Sequence, residues 1–264
     1  MGNNKSTRFI TSPRDGADGS FNDPITVVLL SDKVGHRMKS YGPTPLLSLG
    51  RDTILDYQLQ AIKSRFSNYE IIICTGFDSE KVTRFIKEKY SRENIRVVEN
   101  QMYYHTNTCE SLRLCLNNNV SHRVLVCDGS ILMDGPIFSI VKGKSSCIMT
   151  ESTPSTSGSG FEVGVTVNDV GEVTNLCYGL DTKWSEVTFL SGQKVIESLR
   201  RIVSMPDYKT KFIFEALNEL TRTTKYRLGS LLNDVCLVEK VNNIKTYHKV
   251  RKLYAGTYTK LRNQ

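Results

Sequence analysis

Along the first half of the chain, short apolar runs alternate with amphipathic stretches. Residues 25–30 (ITVVLL) are apolar except for Thr26 and rich in β-branched side chains, which suits a strand buried on both faces. The run turns polar at Ser31-Asp32-Lys33-Val34-Gly35-His36-Arg37. Ile54, Leu55, Gln58, Leu59 and Ile62 then share one helical face, with Asp52-Thr53 placed to cap it. Residues 69–74 (YEIIIC) predict a second buried strand. Asp78-Ser79 offers the cap of a second helix, with Val82, Phe85 and Ile86 facing inward. A short strand at 95–98, a helix at 106–116 and a strand at 123–127 (RVLVC), ending at Asp128-Gly129, complete this half. Strand and helix in alternation imply right-handed crossovers and a mostly parallel sheet. The polar, Gly-bearing loop after the first strand lies where such sheets bind phosphates, outside the strands' carboxyl ends.

Beyond Pro136 the pattern changes. Residues 145–150 are strand-like, and 152–160 (STPSTSGSG) form a loop of small residues. Segments 161–167 and 172–178 flank Asn168-Asp169-Val170-Gly171 and predict a hairpin. A strand at 187–190, helices at 192–203 and 210–221, a strand at 236–241 and a basic helix at 244–254 follow. The expected class is α/β: a Rossmann-like, mostly parallel mixed sheet flanked by helices, with a smaller β-rich half. Without a linker or repeat, residues 25–264 read as one domain, with a core at 25–135 and a second half at 136–264. Residues 1–24 carry too little apolar surface to offset their ordering entropy and read as a flexible arm.

Composition narrows the function. The chain has 264 residues, and 35 Lys and Arg against 27 Asp and Glu give a net charge of +8, which favours an anionic partner. The basic residues are dispersed, though enriched toward the C-terminus, and no zinc finger or RNP-like motif is present, so specific nucleic-acid binding is not expected. No apolar run is long enough to span a membrane, and no apolar signal-peptide core opens the chain. Seven cysteines, an odd number, are scattered without a CxxC pair. Buried reduced thiols in a reducing compartment such as the cytoplasm are the expected reading. The opening Met1-Gly2-Asn3-Asn4-Lys5-Ser6 matches the short N-myristoylation pattern at Gly2, which matters only in a host with the transferase. The other reading of the arm is docking on a protein partner in a larger assembly, a virus particle included. The four histidines (36, 105, 122 and 248) have no spacing that suggests a zinc site or a triad.

Four stretches in register resemble a known family. Arg37-Met38 followed by Pro43-Thr44-Pro45-Leu46-Leu47 resembles the opening L-A-A-G-x-G-x-R-M…P-K-P-L of the nucleotidyltransferases that activate sugar phosphates or choline phosphate. Asn100-Gln101-Met102-Tyr103-Tyr104-His105-Thr106-Asn107, then Ser111-Leu112, resembles N-x-x-Y-x-x-T-N…S-L of the choline-phosphate cytidylyltransferase-like branch. The strand running into Asp128 resembles the one that ends in a metal-binding Asp, and VEKVNNIKTY at 238–247 resembles E-I-D-x-x-x-D-Y. The resemblance spans residues 25–255, with the middle third weakly matched. It implies a nucleotide-binding core and an acceptor-side half. The activity it implies is attack of an acceptor phosphate on the α-phosphorus of a nucleoside triphosphate, releasing pyrophosphate. It assigns nucleotide binding to Leu30, Ser31, Gly35, Asn107 and Ser111, with Arg37 neutralising phosphate charge. It also implies Mg²⁺ held by Asp128 and Asn242. Trp184 and Tyr178 are candidates to line the acceptor pocket, with core packing as the other reading.

The pattern is eroded. Lys33 stands at the first glycine of the turn, where its amine could substitute for the clamp lysine that Thr44 replaces. Asp32 puts a carboxylate beside the expected triphosphate. Asn242 and Thr246 replace two family aspartates, and a neutral Asn holds a divalent cation more weakly. Three readings follow: an active nucleotidyltransferase; a catalytically weakened relative kept as a binding or structural component; and a glycosyltransferase of similar architecture. The last usually needs Asp-x-Asp, and Asp128-Gly129-Ser130 lacks the second carboxylate.

Overall fold

The structure is a computed structural model and describes residues 21–133, 135–143, 145–152, 162–233 and 238–261. Residues 1–20, with the Gly2 pattern, lie outside the described residues, as do Cys236, Phe161 and all of the small-residue loop except Ser152.

The predicted alternation is present: β1 (Ile25–Leu30), α1 (Ile54–Arg65), β2 (Tyr69–Thr75), α2 (Ser79–Lys89), β3 (Ile95–Glu99), α3 (Thr108–Leu116) and β4 (Arg123–Asp128). β1 lies between β2 and β4, parallel to both, and β3 extends the sheet beyond β2. The period of two along β1 divides the core. Val28 and Leu30 face a cluster built on α3, whereas Ile25, Val27 and Leu29 face one built on α1 and α2. All six residues of β1 are buried, and each large one contributes on the order of 1.5–3 kcal/mol to burial of the core.

The second half adds β5 (Ile131–Met133), β6 (Cys147–Ser152), β7 (Val163–Val167), β8 (Val173–Tyr178), β9 (Thr182–Ser191), α4 (Gln193–Val203), α5 (Ile213–Thr223), β10 (Gly229–Leu232), β11 (Val238–Lys240) and α6 (Ile244–Leu261). The sheet order is β10-β6-β9-β4-β1-β2-β3, with the β7–β8 hairpin attached through β9. β9 runs antiparallel to β4 and β6, so the sheet is mixed. The hairpin turn closes as expected, with Asn168 N–H donating to the Glu172 carbonyl at 2.9 Å and Gly171 at φ 78°. The short strands β5 and β11 pair antiparallel as a separate ribbon. No described helix is long and apolar enough to cross a membrane.

Two details differ from expectation. Asp78 precedes α2, but its carboxylate makes no cap and instead receives Lys81 at 2.6 Å. The end of the expected arm is packed: the Phe21 ring meets Phe66 at 5.7 Å between centroids and lies under the Arg65 guanidinium. Six described cysteines are free, four of them buried.

Candidate active site

Two cavities adjoin at the carboxyl ends of β1 and β4. The loop-side cavity, about 200 Å³, is lined by the residue 30–36 loop, Thr44, Asp128 to Ser130 and Asn242. The second, about 240 Å³, has an aromatic wall of Tyr178, Trp184, Phe212 and Phe214, with Asn107 and Glu186 at its edge. Leu30, Lys33, Thr108, Asp128 and Lys240 line both.

The loop leaves β1 under tight constraint. Ser31 N–H donates to the Cys74 carbonyl and Gly129 N–H to the Leu30 carbonyl, at 2.9 and 2.8 Å. A Cβ on Gly129 would meet Ser31 Oγ at 1.8 Å, so only glycine fits there. A Cβ on Gly35 would meet the Asn242 carbonyl at 2.8 Å and Met38 Sδ at 2.6 Å. This glycine therefore lets the loop pack on the β11–α6 connection, where His36 N–H donates to the Asn242 carbonyl at 2.9 Å.

Lys33 reaches both cavities, yet its amine donates to the carbonyls of Tyr103 and, at 2.6 Å, Thr106. Burial holds the amine below its ordinary pKa, and the neighbouring Asp32 carboxylate offsets only part of this. Asp32 is fully buried with no hydrogen-bond partner on either oxygen, and Ser31 Oγ is likewise buried and unpartnered. Burial pushes the Asp32 carboxyl above its usual range, with the Ser111 hydroxyl and Lys33 ammonium nearby opposing the shift. Arg37 lines neither cavity: it is exposed, with a left-handed backbone at φ 58°.

The segment from Asn100 to Ser111 is tied into one network. Asn100 Nδ2 donates to Thr106 Oγ1 at 3.0 Å and to Ser111 Oγ at 3.1 Å. Asn107 caps α3 through Thr108 N–H at 3.2 Å and also lines the aromatic cavity. Ser111 lines neither cavity and is fully buried.

Where the cavities meet, Lys240 Nζ lies 2.5 Å from Glu186 Oε1 and 3.6 Å from Asp128 Oδ2. Ser130 donates its N–H and hydroxyl to Asp128 Oδ1 at 2.8 and 2.5 Å. The three charged side chains sit in a recess with 24–36% of their surface exposed. Burial and the facing Asp128 carboxylate push Glu186 up to about 7. Burial also acts against the charges on Asp128 and Lys240. Their mutual attraction outweighs it, lowering the Asp128 carboxyl and raising the Lys240 amine.

Glu186 reaches this point through a fault in β9. The β6–β9 register shifts between Ile148 and Thr150, and Glu186 adopts φ 56°. A non-glycine residue in that conformation costs on the order of 1 kcal/mol, and bulges next to active sites re-aim side chains in this way.

The donors present do not fit a divalent cation at Asp128 and Asn242. The Asp128 oxygens are engaged by Ser130 and Lys240. The side-chain oxygen of neutral Asn242 receives Asn243 Nδ2 at 2.8 Å. No group of three or more His, Cys, Asp or Glu able to hold a metal occurs among the described residues.

No family model and no curated protein matches this chain. Solved structures do. The CTP:phosphocholine cytidylyltransferase from Streptococcus pneumoniae superposes with a TM-score of 0.72 at 17% identity, over 87% of this chain and 98% of that one. The chain has the nucleotidyltransferase fold. The inositol-1-phosphate CTP transferase from T. maritima is similar with a TM-score of 0.69 at 13% identity, over 88% and 96% of the two chains. A UDP-glucose pyrophosphorylase in complex with UDP-glucose is similar at 0.68 and 12%, over 88% and 98%. Within this nucleotidyltransferase fold, the structure brings Leu30, Ser31, Lys33, Gly35, Asn107, Asp128 and Asn242 around the two cavities and leaves Arg37 and Ser111 outside them. Glu186, Phe212, Phe214 and Lys240 were not among the expected site residues. A basic residue at the first position of the E-I-D-like stretch was the available signal for Lys240. Glu186 had none, since its placement depends on the bulge.

Proposed function

We propose that the protein is nucleotidyltransferase-like, binding a nucleoside triphosphate in the loop-side cavity and a phosphorylated acceptor in the aromatic one. The observation that supports this best is the shared lining: Lys33, Thr108, Asp128 and Lys240 border both spaces, so ligands in each would meet there. An acceptor phosphate oxygen would attack the α-phosphorus, and pyrophosphate would leave. The work of such a site is positioning and charge neutralisation. Backbone N–H groups of loop residues 33–35 would cradle the anions, and Lys240 would supply an ammonium at the junction. An aromatic wall suits a cationic, choline-like head better than a sugar, because ring faces attract an ammonium.

A second reading rests on a separate observation. The Lys33 amine is bound by backbone carbonyls and Arg37 lies outside both cavities, so two groups expected to clamp phosphate are not available in this arrangement. This favours a relative that binds its ligands and turns them over slowly or not at all, acting as a binding component of a larger assembly.

The test is calorimetry with each nucleoside triphosphate, followed by pyrophosphate release with phosphocholine and with sugar phosphates. Binding with release supports the enzyme. Binding without release supports the weakened relative, and no binding of any triphosphate rejects both.

A further inference from the structure

The cation that this fold would be expected to borrow from solution is built into the chain. We infer that the Lys240 ammonium stands in place of a divalent ion at the junction of the two cavities, so that the site binds its anionic ligand without Mg²⁺.

The placement of Lys240 is rigid. β11 pairs antiparallel with β5 in the register Lys240 opposite Ile131, which continues directly from the Asp128-Gly129-Ser130 turn. The amine is thereby delivered beside the carboxylate at the end of β4. The second carboxylate arrives from the opposite side, on the left-handed residue of the β9 bulge. The result is one ammonium beside two carboxyl groups that face each other, 2.5 Å from Glu186 and 3.6 Å from Asp128, in a recess bordering both cavities. A divalent ion needs several oxygen ligands at about 2.0–2.6 Å, and both carboxylates that would supply them are already engaged by the ammonium. Asn242 cannot restore the missing ligand charge.

The inference deepens the reading that an anionic nucleotide enters the loop-side cavity, but a metal titration tests it separately. Mn²⁺ binding is followed by electron paramagnetic resonance for the wild-type protein, Lys240→Met, and Lys240→Met combined with Asp128→Asn, with folding of each checked by thermal unfolding. The wild type should take up no Mn²⁺ at this site. Lys240→Met should gain a site, because two carboxylates lose their counter-charge, and adding Asp128→Asn should abolish it. In calorimetry, wild-type affinity for a triphosphate should be the same in EDTA and in Mg²⁺, whereas Lys240→Met should lose at least tenfold in EDTA and recover part of it with Mg²⁺. A wild-type Mn²⁺ site removed by Asp128→Asn, triphosphate binding by the wild type only with Mg²⁺, or a folded Lys240→Met without Mn²⁺ affinity would each overturn the inference. If no triphosphate binds at all, the functional reading fails while the Mn²⁺ titration still decides the role of Lys240.

Discussion

Two aspartates in this chain are almost equally buried and almost opposite in circumstance. Asp56, in the first turn of α1, accepts from Thr53 N–H at 2.8 Å, returns the capping box through Thr53 Oγ1, and holds Lys89 at 2.8 Å and the Tyr90 hydroxyl. Asp32, in the loop after β1, has no partner for either oxygen. Burial alone would raise both carboxyls. At Asp56 the hydrogen bonds from Lys89, Thr53 and Tyr90 outweigh burial and the pKa falls, while at Asp32 burial wins and it rises. The head of α1 is therefore stabilised by its buried charge, and the loop bears the cost of one. Local conflicts of this kind are expected where a chain serves a ligand rather than its own packing.

Removing the satisfied carboxylate should have the largest effect. Asp56→Ala loses the cap, worth about 1 kcal/mol, leaves the Tyr90 hydroxyl without its acceptor, and leaves the 45%-exposed Lys89 with Asp52 at 3.9 Å, for a total of about 2.5 kcal/mol. Urea unfolding would read this as a lower midpoint. A change below about 1 kcal/mol, the value of a cap alone, would show that the Lys89 and Tyr90 contacts contribute little. Gly129→Ala should come next. Its Cβ would sit 1.8 Å from Ser31 Oγ, and displacing the start of the loop should cost about 2 kcal/mol, with weaker triphosphate binding as a companion loss.

The loop residues explain how much of this molecule was legible in advance. β1, β2 and β4 stood out because strands buried on both faces need unbroken apolar runs, and the first two helices because their buried positions keep a helical period. β10 escaped: it is an edge strand with Leu231 and Leu232 exposed, so no alternation marks it. Only the end of β9 was expected, because Ser185 and Glu186 fall at the bulge and interrupt the apolar pattern. In the site, residues on the loop and at Asn107 could be found from local motifs. Phe212 and Phe214 at the head of α5, Glu186 on β9 and Lys240 on β11 come from elements distant in sequence and meet only through the tertiary fold.

The orphan carboxylate should behave in the opposite sense to Asp56. Asp32→Ala removes a buried carboxylate whose burial outweighs the neighbouring Lys33 charge and should stabilise the protein by about 1 kcal/mol at neutral pH. The pH dependence separates the two residues. Asp32 has a folded-state pKa above 3.8, so the charge-dependent part of the wild-type penalty is absent at pH below 3.8, grows as pH rises from 3.8 to the folded value, and is constant above it. The gain from Asp32→Ala should therefore shrink on acidification. Asp56 has a folded pKa below 3.8. Its contribution is present above 3.8 and is lost as pH falls through the lower value, so the loss in Asp56→Ala should also shrink in acid, from the opposite sign. The differences among the three proteins should narrow at low pH; parallel curves would contradict the difference in charge state.

The smallest effect concerns Arg37, five residues beyond Asp32. Its exposed backbone at φ 58° is a conformation that costs a side-chain-bearing residue about 1 kcal/mol and glycine almost nothing. Glycine also loses more freedom on folding, so Arg37→Gly should gain only about 0.5 kcal/mol. The gain would place Arg37 with Asp32 as a residue kept against the interest of stability. Triphosphate affinity then decides what it is kept for. Because Arg37 lines neither cavity, affinity should be unchanged in Arg37→Gly. A fall of tenfold or more, about 1.4 kcal/mol, would mean that the loop swings inward on binding and that its strain is released when the guanidinium meets phosphate. That result would make the loop, rather than the fixed junction at Lys240, the principal source of positive charge for the ligand.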